Sequence, residues 1–163
     1  MYRKKIDQHN TLFKTRFFPW HSSSRERVGN VAFLGIGGNI GDSKRLFHKL
    51  FCYLQRDSSI NIIETSPILK NPPFGYLEQN DFYNAMITIT TSQSPKKLLD
   101  YILRIEKHFG RKRSFIDAPR TLDIDMIFYN SVVMNSKNLT LPHPHWYKRN
   151  SVVIPLSMMK GTK

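Results

Sequence analysis

The spacing of the apolar residues after position 30 constrains the fold of this chain more than any other feature of its sequence. Short apolar runs and one cleanly alternating segment are typical of strands, and apolar stripes at three- and four-residue intervals are typical of helices. The predicted elements, in chain order, are a strand at 31–36, a helix that begins after Asp42, a strand at 60–65, a strand at 82–90, a helix from Ser94 to Gly110 and a strand at 122–129.

The order of these six elements predicts the fold class. Strand, helix, strand, strand, helix, strand is the split β-α-β arrangement of ferredoxin-like α+β folds. Such a fold has an antiparallel sheet with both helices on one face, so we expect the other face to be free for a ligand. Phe82 and Asn84 point to that face, because Tyr83 and Ile87 point to the core. The same alternation also fits a purely structural role for Phe82 and Asn84.

The net charge of +13 indicates an anionic partner, which could be nucleic acid, a membrane surface or a phosphorylated small molecule. The charge is concentrated in two places. Residues 1–30 hold seven basic and two acidic side chains, and the stretch from Arg104 to Arg120 holds six and two. No apolar run approaches the roughly 18 residues of a membrane span. The single cysteine, Cys52, predicts a reducing cytoplasm.

The first thirty residues show no helical or strand period. We therefore predict a basic and loosely packed N-terminal arm at 1–30, ahead of a folded domain at 31–163. The aromatic residues between Phe13 and Trp20 leave open that the arm docks on that domain.

Two aspartates on the last predicted strand are the strongest indication of chemistry. Asp123 and Asp125 share one face of this strand. The residues on its core-facing side are Leu122, Ile124, Met126 and Phe128. Neighbouring carboxylates repel each other without a cation, and hard oxygen ligands at this separation suit Mg²⁺ that carries nucleotide phosphates. The alternative is that both aspartates face solvent or pair with arginines.

Basic side chains near the two aspartates favour the metal and phosphate interpretation. Arg111, Arg113 and Arg120 bracket the loop that precedes the last strand. Arginine loops can close on phosphates and neutralise charge that develops during phosphoryl transfer. A basic loop is also typical of a solvated or nucleic-acid-binding surface. His143 and Arg149 are further candidate phosphate ligands.

A Gly-rich segment between Gly35 and Gly41 joins the first strand to the first helix. It contains no GxxxxGK[ST] motif, and position 40 is Ile where a GxGxxG motif requires Gly. We therefore interpret these glycines as tight-turn residues.

Several segments of the chain form a recognisable set. They are GGNIGD after the first strand, NPPFG before DFYNA, IEKHFGR at the end of the second helix, PRTLDIDMIF and LPHP. Together they resemble the 6-hydroxymethyl-7,8-dihydropterin pyrophosphokinase family of folate biosynthesis. The resemblance runs from about Val31 to Leu156. It implies a ferredoxin-like fold and the transfer of the terminal pyrophosphoryl unit of ATP to the hydroxymethyl group of a reduced pterin. Release of AMP and the use of two Mg²⁺ ions are also implied.

The resemblance also implies roles for individual positions. Asp123 and Asp125 match the magnesium-binding aspartates, and Arg111 and Arg120 match loop arginines that bind ATP and assist transfer. The further positions implied for ATP or its phosphates are Glu106, Arg113, Thr140, His143 and Arg149. The positions implied for the pterin are Asn71, Pro72, Phe74, Phe82 and Asn84.

Three departures from the family pattern concern the pterin and the loop. The loop between Arg113 and Arg120 is about one residue short and lacks the usual Trp before Pro-Arg. Ser151 stands where an aromatic residue usually stacks on the pterin, and Gly38 replaces a Ser. These differences indicate that pterin stacking is weaker or uses other side chains, while the metal and phosphate residues are present.

The main alternative is an RNA-binding module, because a basic ferredoxin-like sheet with exposed aromatic residues is also the RRM plan. In this chain, Asn84 and the two aspartates occupy the open face, and carboxylates repel phosphate without a metal. A catalytically silent scaffold remains a third alternative. We expect small-molecule substrates, ATP and the pterin, rather than nucleic acid or membrane partners, and a monomer.

Overall fold

The fold is described by a computed structural model that covers residues 1–24, 29–112 and 114–162. Its elements, in chain order, are β1 (Tyr2–Lys5), β2 (Thr11–Lys14), β3 (Trp20–His21), β4 (Asn30–Gly38), α1 (Ser43–Gln55), β5 (Ile60–Thr65), β6 (Ile68–Asn71), β7 (Phe82–Thr91), α2 (Pro95–His108), β8 (Asp123–Tyr129), β9 (Met134–Asn135), β10 (Thr140–Leu141) and α3 (Asn150–Ser157). Short 3₁₀ turns lie at Trp146–Lys148 and Lys160–Thr162.

The main sheet is antiparallel throughout its described pairs, in the order β1-β2-β6-β7-β4-β8. Strand β5 pairs with the far half of β7, and β3 pairs with β5. The four strands β5, β7, β4 and β8, with α1 and α2, form the predicted split β-α-β arrangement. The predicted α+β, ferredoxin-like fold is therefore confirmed.

Helices α1 and α2 cover one face of this sheet, as predicted. The Asp42 side chain accepts a hydrogen bond from the Arg45 amide at 3.0 Å, and Ser94 caps α2 in the same way. Both are N-caps that satisfy amides left unpaired in the first turn. The apolar stripes of the two helices, including Phe47 and Ile102, are fully buried against the sheet. No helix in the described parts of the chain is long and apolar enough to cross a membrane.

The stretch before Val31 differs from the prediction. Its first two strands form a hairpin, and β2 pairs with β6 at the edge of the sheet. Leu12, Phe13 and Phe18 are buried, and Phe18 is fully inaccessible to solvent. The expectation of a loose arm without strands is wrong here, because these apolar side chains find partners far along the chain that local periodicity cannot show. Residues 25–28 lie outside the described residues, and the domain boundary at residue 30 stays a prediction.

A third helix, α3, lies over part of the sheet face that we expected to be open. Its Val152 belongs to a small apolar cluster with Met86 and Ile127, whose side chains point away from α1 and α2. Phe128 packs on this second cluster. Strict alternation along the strand predicts that Phe128 faces the main core, and this prediction is wrong. The β4–β8 pairing shifts register between Phe33 and Leu34, which turns Phe128 to the other face.

Candidate active site

Two adjacent cavities lie beside strand β8. The smaller is on the second sheet face next to α3, and the larger lies at the β8 edge of the sheet, where Leu99 and Leu103 of α2 also line it. The smaller has a volume of about 410 Å³ and the larger about 990 Å³. Both are in or near the size range of small-molecule sites. Five residues line both cavities and so mark the place where the two meet. These residues are Asp117, Arg120, Asp123, Asp125 and Arg149.

Strand β8 carries the two aspartates to this meeting point. Asp123 lies opposite Gly37 of β4, and Asp125 lies opposite Gly35. Because directly opposed residues share a face, the absence of side chains at these glycines leaves the sheet surface beside both carboxylates open. On the other side of Gly37 lies Asn84 of β7. An amide and a carboxylate therefore face the cleft with no side chain between them.

Asp123 is neutralised by two arginines. Arg120 Nη1 lies 2.8 Å from Asp123 Oδ2, and Arg111 Nη1 lies 2.9 Å from Asp123 Oδ1. Arg111 also forms an ion pair with the buried Glu106. Glu106 accepts a hydrogen bond from the Ile124 amide at 2.7 Å. Burial raises the pKa of Glu106 above its ordinary value, while the Ile124 amide and Arg111 oppose that shift.

Asp125 lacks a comparable cationic partner. Its nearest basic side chain in ion-pair range among the described residues is His143, whose Nε2 lies 4.0 Å from Asp125 Oδ2. Burial in the cleft, followed by the charge of Asp123, raises the pKa of the Asp125 carboxyl above its ordinary value. Asp125 is therefore the less compensated of the two carboxylates, and a bound cation would favour its ionised form.

The donor set at the meeting point fits Mg²⁺. The described residues contain no group of three or more acidic, His or Cys side chains arranged around one position. Mg²⁺ is commonly held by one or two carboxylates, with water and substrate phosphates as its other ligands. Two half-exposed aspartates beside a large cavity match that description. Residues that could hold the ion are Asp123 and Asp125.

The end of the arginine loop is fixed by Asn39, a residue that the sequence analysis did not select. The buried Asn39 side chain accepts from the Arg120 amide at 2.9 Å and donates to Gln79 Oε1 and the Asn80 carbonyl. The Asn39 amide donates in turn to the Arg120 carbonyl at 2.9 Å. Asn39 thus connects the loop that ends at Arg120 (the Arg120 loop) to Gln79 and Asn80, which follow the Pro-rich loop at 71–75. Arg113, predicted to contact ATP, lies outside the described residues.

Most glycines of the 35–41 segment are not turn residues, so the prediction of tight-turn glycines is wrong for them. Strand β4 includes Gly35, Gly37 and Gly38. In this segment, Gly41 is the glycine with a positive φ, of 71°. A Cβ at Gly38 would collide with the Thr121 carbonyl. Close approach of the Arg120 loop therefore requires Gly38.

The residues predicted for the pterin come together in the smaller cavity. Asn71, Pro72, Phe74, Phe82 and Asn84 all line it. Asn84 donates to the Asn71 side chain at 2.7 Å, and Asn71 donates to the Pro72 carbonyl at 2.9 Å. The Phe82 ring lies beneath the Arg120 guanidinium at 5.4 Å. The loop and β7 therefore form one polar and aromatic wall.

The described residues among those predicted for ATP line the larger cavity. They are Glu106, Arg111, Arg120, Thr140, His143 and Arg149. His143 has its Nδ1 2.9 Å from the Pro144 carbonyl, and Thr140 donates to Asn135 at 3.1 Å. These contacts hold the side chains at the cavity wall. Their contact with ATP stays a prediction.

Comparison with known proteins identifies the family. The family model described as 7,8-dihydro-6-hydroxymethylpterin-pyrophosphokinase matches residues 33–161. The chain belongs to this pyrophosphokinase family. The RNA-binding alternative is not favoured.

Pyrophosphokinase relatives match along most of their length. The chain is 42% identical over 151 residues to the 2-amino-4-hydroxy-6-hydroxymethyldihydropteridine pyrophosphokinase of Helicobacter pylori, covering 91% of this chain and 93% of that protein. The protein of the same name from Campylobacter jejuni is 40% identical over 146 residues, covering 90% and 93%. The one from Bacillus subtilis is 32% identical over 130 residues, covering 80% and 78%.

The Helicobacter match reaches beyond the family model. It leaves about a tenth of this chain unmatched, which is fewer residues than the thirty that precede Val31. Part of that N-terminal stretch therefore belongs to the region of similarity between this pyrophosphokinase and the Helicobacter protein.

Proposed function

We propose that the protein transfers the terminal diphosphate of ATP to the hydroxymethyl group of 6-hydroxymethyl-7,8-dihydropterin and releases AMP. The observation that carries the proposal is that two cavities meet at Asp123 and Asp125. Amide and aromatic side chains line one cavity, and arginines line the other. The names of the relatives support the same reaction. Membership of the family implies ATP as the co-substrate.

The larger cavity suits ATP because of its size and charge. Arginines at positions 111, 120 and 149 and the imidazole of His143 line it. Guanidinium groups are matched in geometry to phosphate oxygens. Arg111 pairs with Glu106 and Asp123, and Arg120 pairs with Asp123. We infer that phosphates compete with these carboxylates for the two guanidinium groups.

The smaller cavity suits a flat, nitrogen-rich ring. The side-chain amides of Asn71 and Asn84 provide donors and acceptors for its edge, and Phe82 provides an aromatic surface. Because this cavity meets the larger one at Arg120 and Asp123, a hydroxymethyl substituent on the ring would point towards the phosphates.

We propose that Asp123 and Asp125 hold Mg²⁺, with two ions as the expected number. When bound, Mg²⁺ neutralises charge on the phosphates and orients them for in-line displacement. The hydroxymethyl oxygen bonds to the β-phosphorus, the bond from that phosphorus to the oxygen bridging to the α-phosphorus breaks, and the hydroxyl proton passes to solvent. With both aspartates assigned to the metal, neither is left as a general base, so positioning and electrostatics supply the catalysis.

Arginine side chains also contribute to the proposed mechanism. Arg120 lies between the Phe82 ring and Asp123, at the junction of the two cavities. From this position its guanidinium can neutralise charge on the transferred group and exclude water from it. We propose that the protein acts on these small molecules as a monomer.

Replacement of the less compensated aspartate tests the proposal. Asp125→Asn keeps the shape of the side chain but removes its charge, so we expect AMP formation to fall on the order of a hundredfold or more. The matched control is Asp81→Asn, which alters an exposed carboxylate paired with Lys70 and lining neither cavity. Near wild-type AMP formation by Asp125→Asn would show that the metal assignment is wrong.

A further inference from the structure

The turn of the N-terminal hairpin reaches the smaller cavity. His9 and Asn10, which connect β1 to β2, line it together with the predicted pterin residues. Both lie outside the 33–161 segment that the family model matches. The hairpin therefore adds a wall to the cavity that the sequence motifs did not reveal.

This turn is held by one carboxylate. Asp7 Oδ1 accepts the amide hydrogens of His9 at 2.7 Å and Asn10 at 2.8 Å, and Asp7 Oδ2 accepts the Asn10 side chain at 2.9 Å. The Ile6 amide also donates to the Asn10 carbonyl at 2.9 Å. The Asp7 amide donates to the same carbonyl at 3.4 Å, so five hydrogen bonds within residues 6–10 hold the turn that presents the His9 ring.

The hairpin is also fixed relative to the pterin loop. Strand β2 pairs with β6, with Thr11 opposite Lys70 and Leu12 opposite Leu69. The next residue of β6 is Asn71, where the Pro-rich loop begins, and the residue before Thr11 is Asn10, which is buried. The sheet register therefore places the turn beside the loop.

The His9 ring is the part of this wall available to a ligand. Its residue is exposed, and none of the described residues makes a hydrogen bond to the ring. Elsewhere in the cavity, the Phe82 ring lies under the Arg120 guanidinium, the exposed Phe74 is a further ring of the lining, and the wall at 150–152 carries no ring. A flat heterocycle in this cavity has two faces, and the second needs a surface to pack against.

We propose that the His9 ring packs on the pterin in the smaller cavity and contributes to its binding and selection. This inference rests on the proposed function, because it concerns the ligand of the same cavity. His9 binds substrate in this proposal and takes no part in the transfer step. A ring contact of this kind predicts an effect on the pterin and none on ATP.

The test compares His9 variants by steady-state kinetics. His9→Ala should raise KM for 6-hydroxymethyl-7,8-dihydropterin about fivefold to tenfold and leave kcat and KM for ATP within about twofold. His9→Phe, which keeps a flat ring, should retain a pterin KM close to that of the wild type. Lys5→Ala, an exposed change in the same hairpin, is the matched control and should have no effect.

Two results would overturn the inference. One is a pterin KM for His9→Ala within twofold of the wild type, and the other is a His9→Phe variant as impaired as His9→Ala. Failure of the proposed function would be seen separately, as wild-type protein that forms no AMP from ATP and the pterin. Direct titration of the pterin by its fluorescence, with a non-hydrolysable ATP analogue present, must show the same ranking of the variants.

Discussion

Asp123 and Asp125 are two residues apart on one strand face, yet their surroundings differ. Asp123 is compensated by Arg111 and Arg120, whereas burial and the charge of Asp123 raise the pKa of Asp125. A carboxyl with a raised pKa in the folded state destabilises the fold when it is ionised, and stability returns as the pH falls through that raised value. The raised pKa therefore predicts that ionised Asp125 weakly opposes folding at neutral pH when no cation is bound.

Asp125→Asn should consequently have opposite effects on stability and activity. Removing the uncompensated charge is expected to raise Tm of the ligand-free protein, by about 2 °C, while AMP formation is lost. The stabilisation should fade as the pH is lowered below the raised pKa of the wild-type carboxyl. Thermal unfolding from pH 4 to pH 8 measures this difference. A Tm for Asp125→Asn below the wild-type value at pH 7 would contradict the assigned electrostatics.

At the scale of elements, the glycine end of β4 sets the shape of the site. Gly37 leaves room for the Asn84 amide, whose oxygen would lie 2.6 Å from a Cβ at position 37. Gly38 leaves room for the Thr121 carbonyl, next to Arg120. One strand end therefore positions both the Asn84 side chain and the loop that ends at Arg120.

Gly38→Ala is predicted to be more harmful than Gly41→Ala. The added methyl group at position 38 meets backbone, which cannot move without displacing the Arg120 loop, and such overpacking costs about 1–3 kcal/mol. At position 41 the methyl group meets nothing within 4 Å, and the cost is about 1–2 kcal/mol of backbone strain, because φ is positive. Urea denaturation gives the stabilities and AMP formation gives the activities. Equal activities of the two variants would contradict the role assigned to Gly38.

The core strands and helices could be predicted from the sequence because each has a strong local pattern. The two helices begin at the predicted caps, Asp42 and Ser94. Strand β6 is not among the predicted elements. Pro67, which has no amide hydrogen, interrupts the strand pattern after residue 65, but the chain rejoins the sheet at Ile68. The side chain of Phe128 was misplaced because a register shift in the pairing with β4 leaves no trace in the periodicity of β8.

At the scale of the whole molecule, the cleft combines segments that are distant in the sequence. Asp123 and Asp125 could be predicted because two carboxylates on an otherwise apolar strand stand out in the sequence. The arginines could be predicted because they are clustered in the loop just before that strand. Asn39 and His9 could not, because their importance arises from tertiary contacts with Arg120 and with the cavity. The predicted pterin residues line the smaller cavity, and the described residues predicted for ATP line the larger one, with Arg120 and Arg149 lining both. Sequence order alone does not give this arrangement.

The N-terminal stretch is part of the core, and this has a measurable consequence. Phe18 is fully buried against Phe47 and Phe51. Phe18→Ala should therefore lower the free energy of unfolding by about 3–5 kcal/mol. Tyr2→Ala, an exposed change in the same stretch, should alter it by less than about 0.5 kcal/mol. Equal and small effects in urea denaturation would support a loose arm instead.

The proposed reaction transfers a diphosphate from ATP to the pterin in the cleft. The most direct test is to incubate the protein with ATP, Mg²⁺ and 6-hydroxymethyl-7,8-dihydropterin and to identify the products by ³¹P NMR and mass spectrometry. We predict equal amounts of AMP and the pterin diphosphate. Formation of ADP with a pterin monophosphate, or of AMP with free pyrophosphate and unchanged pterin, would contradict the account.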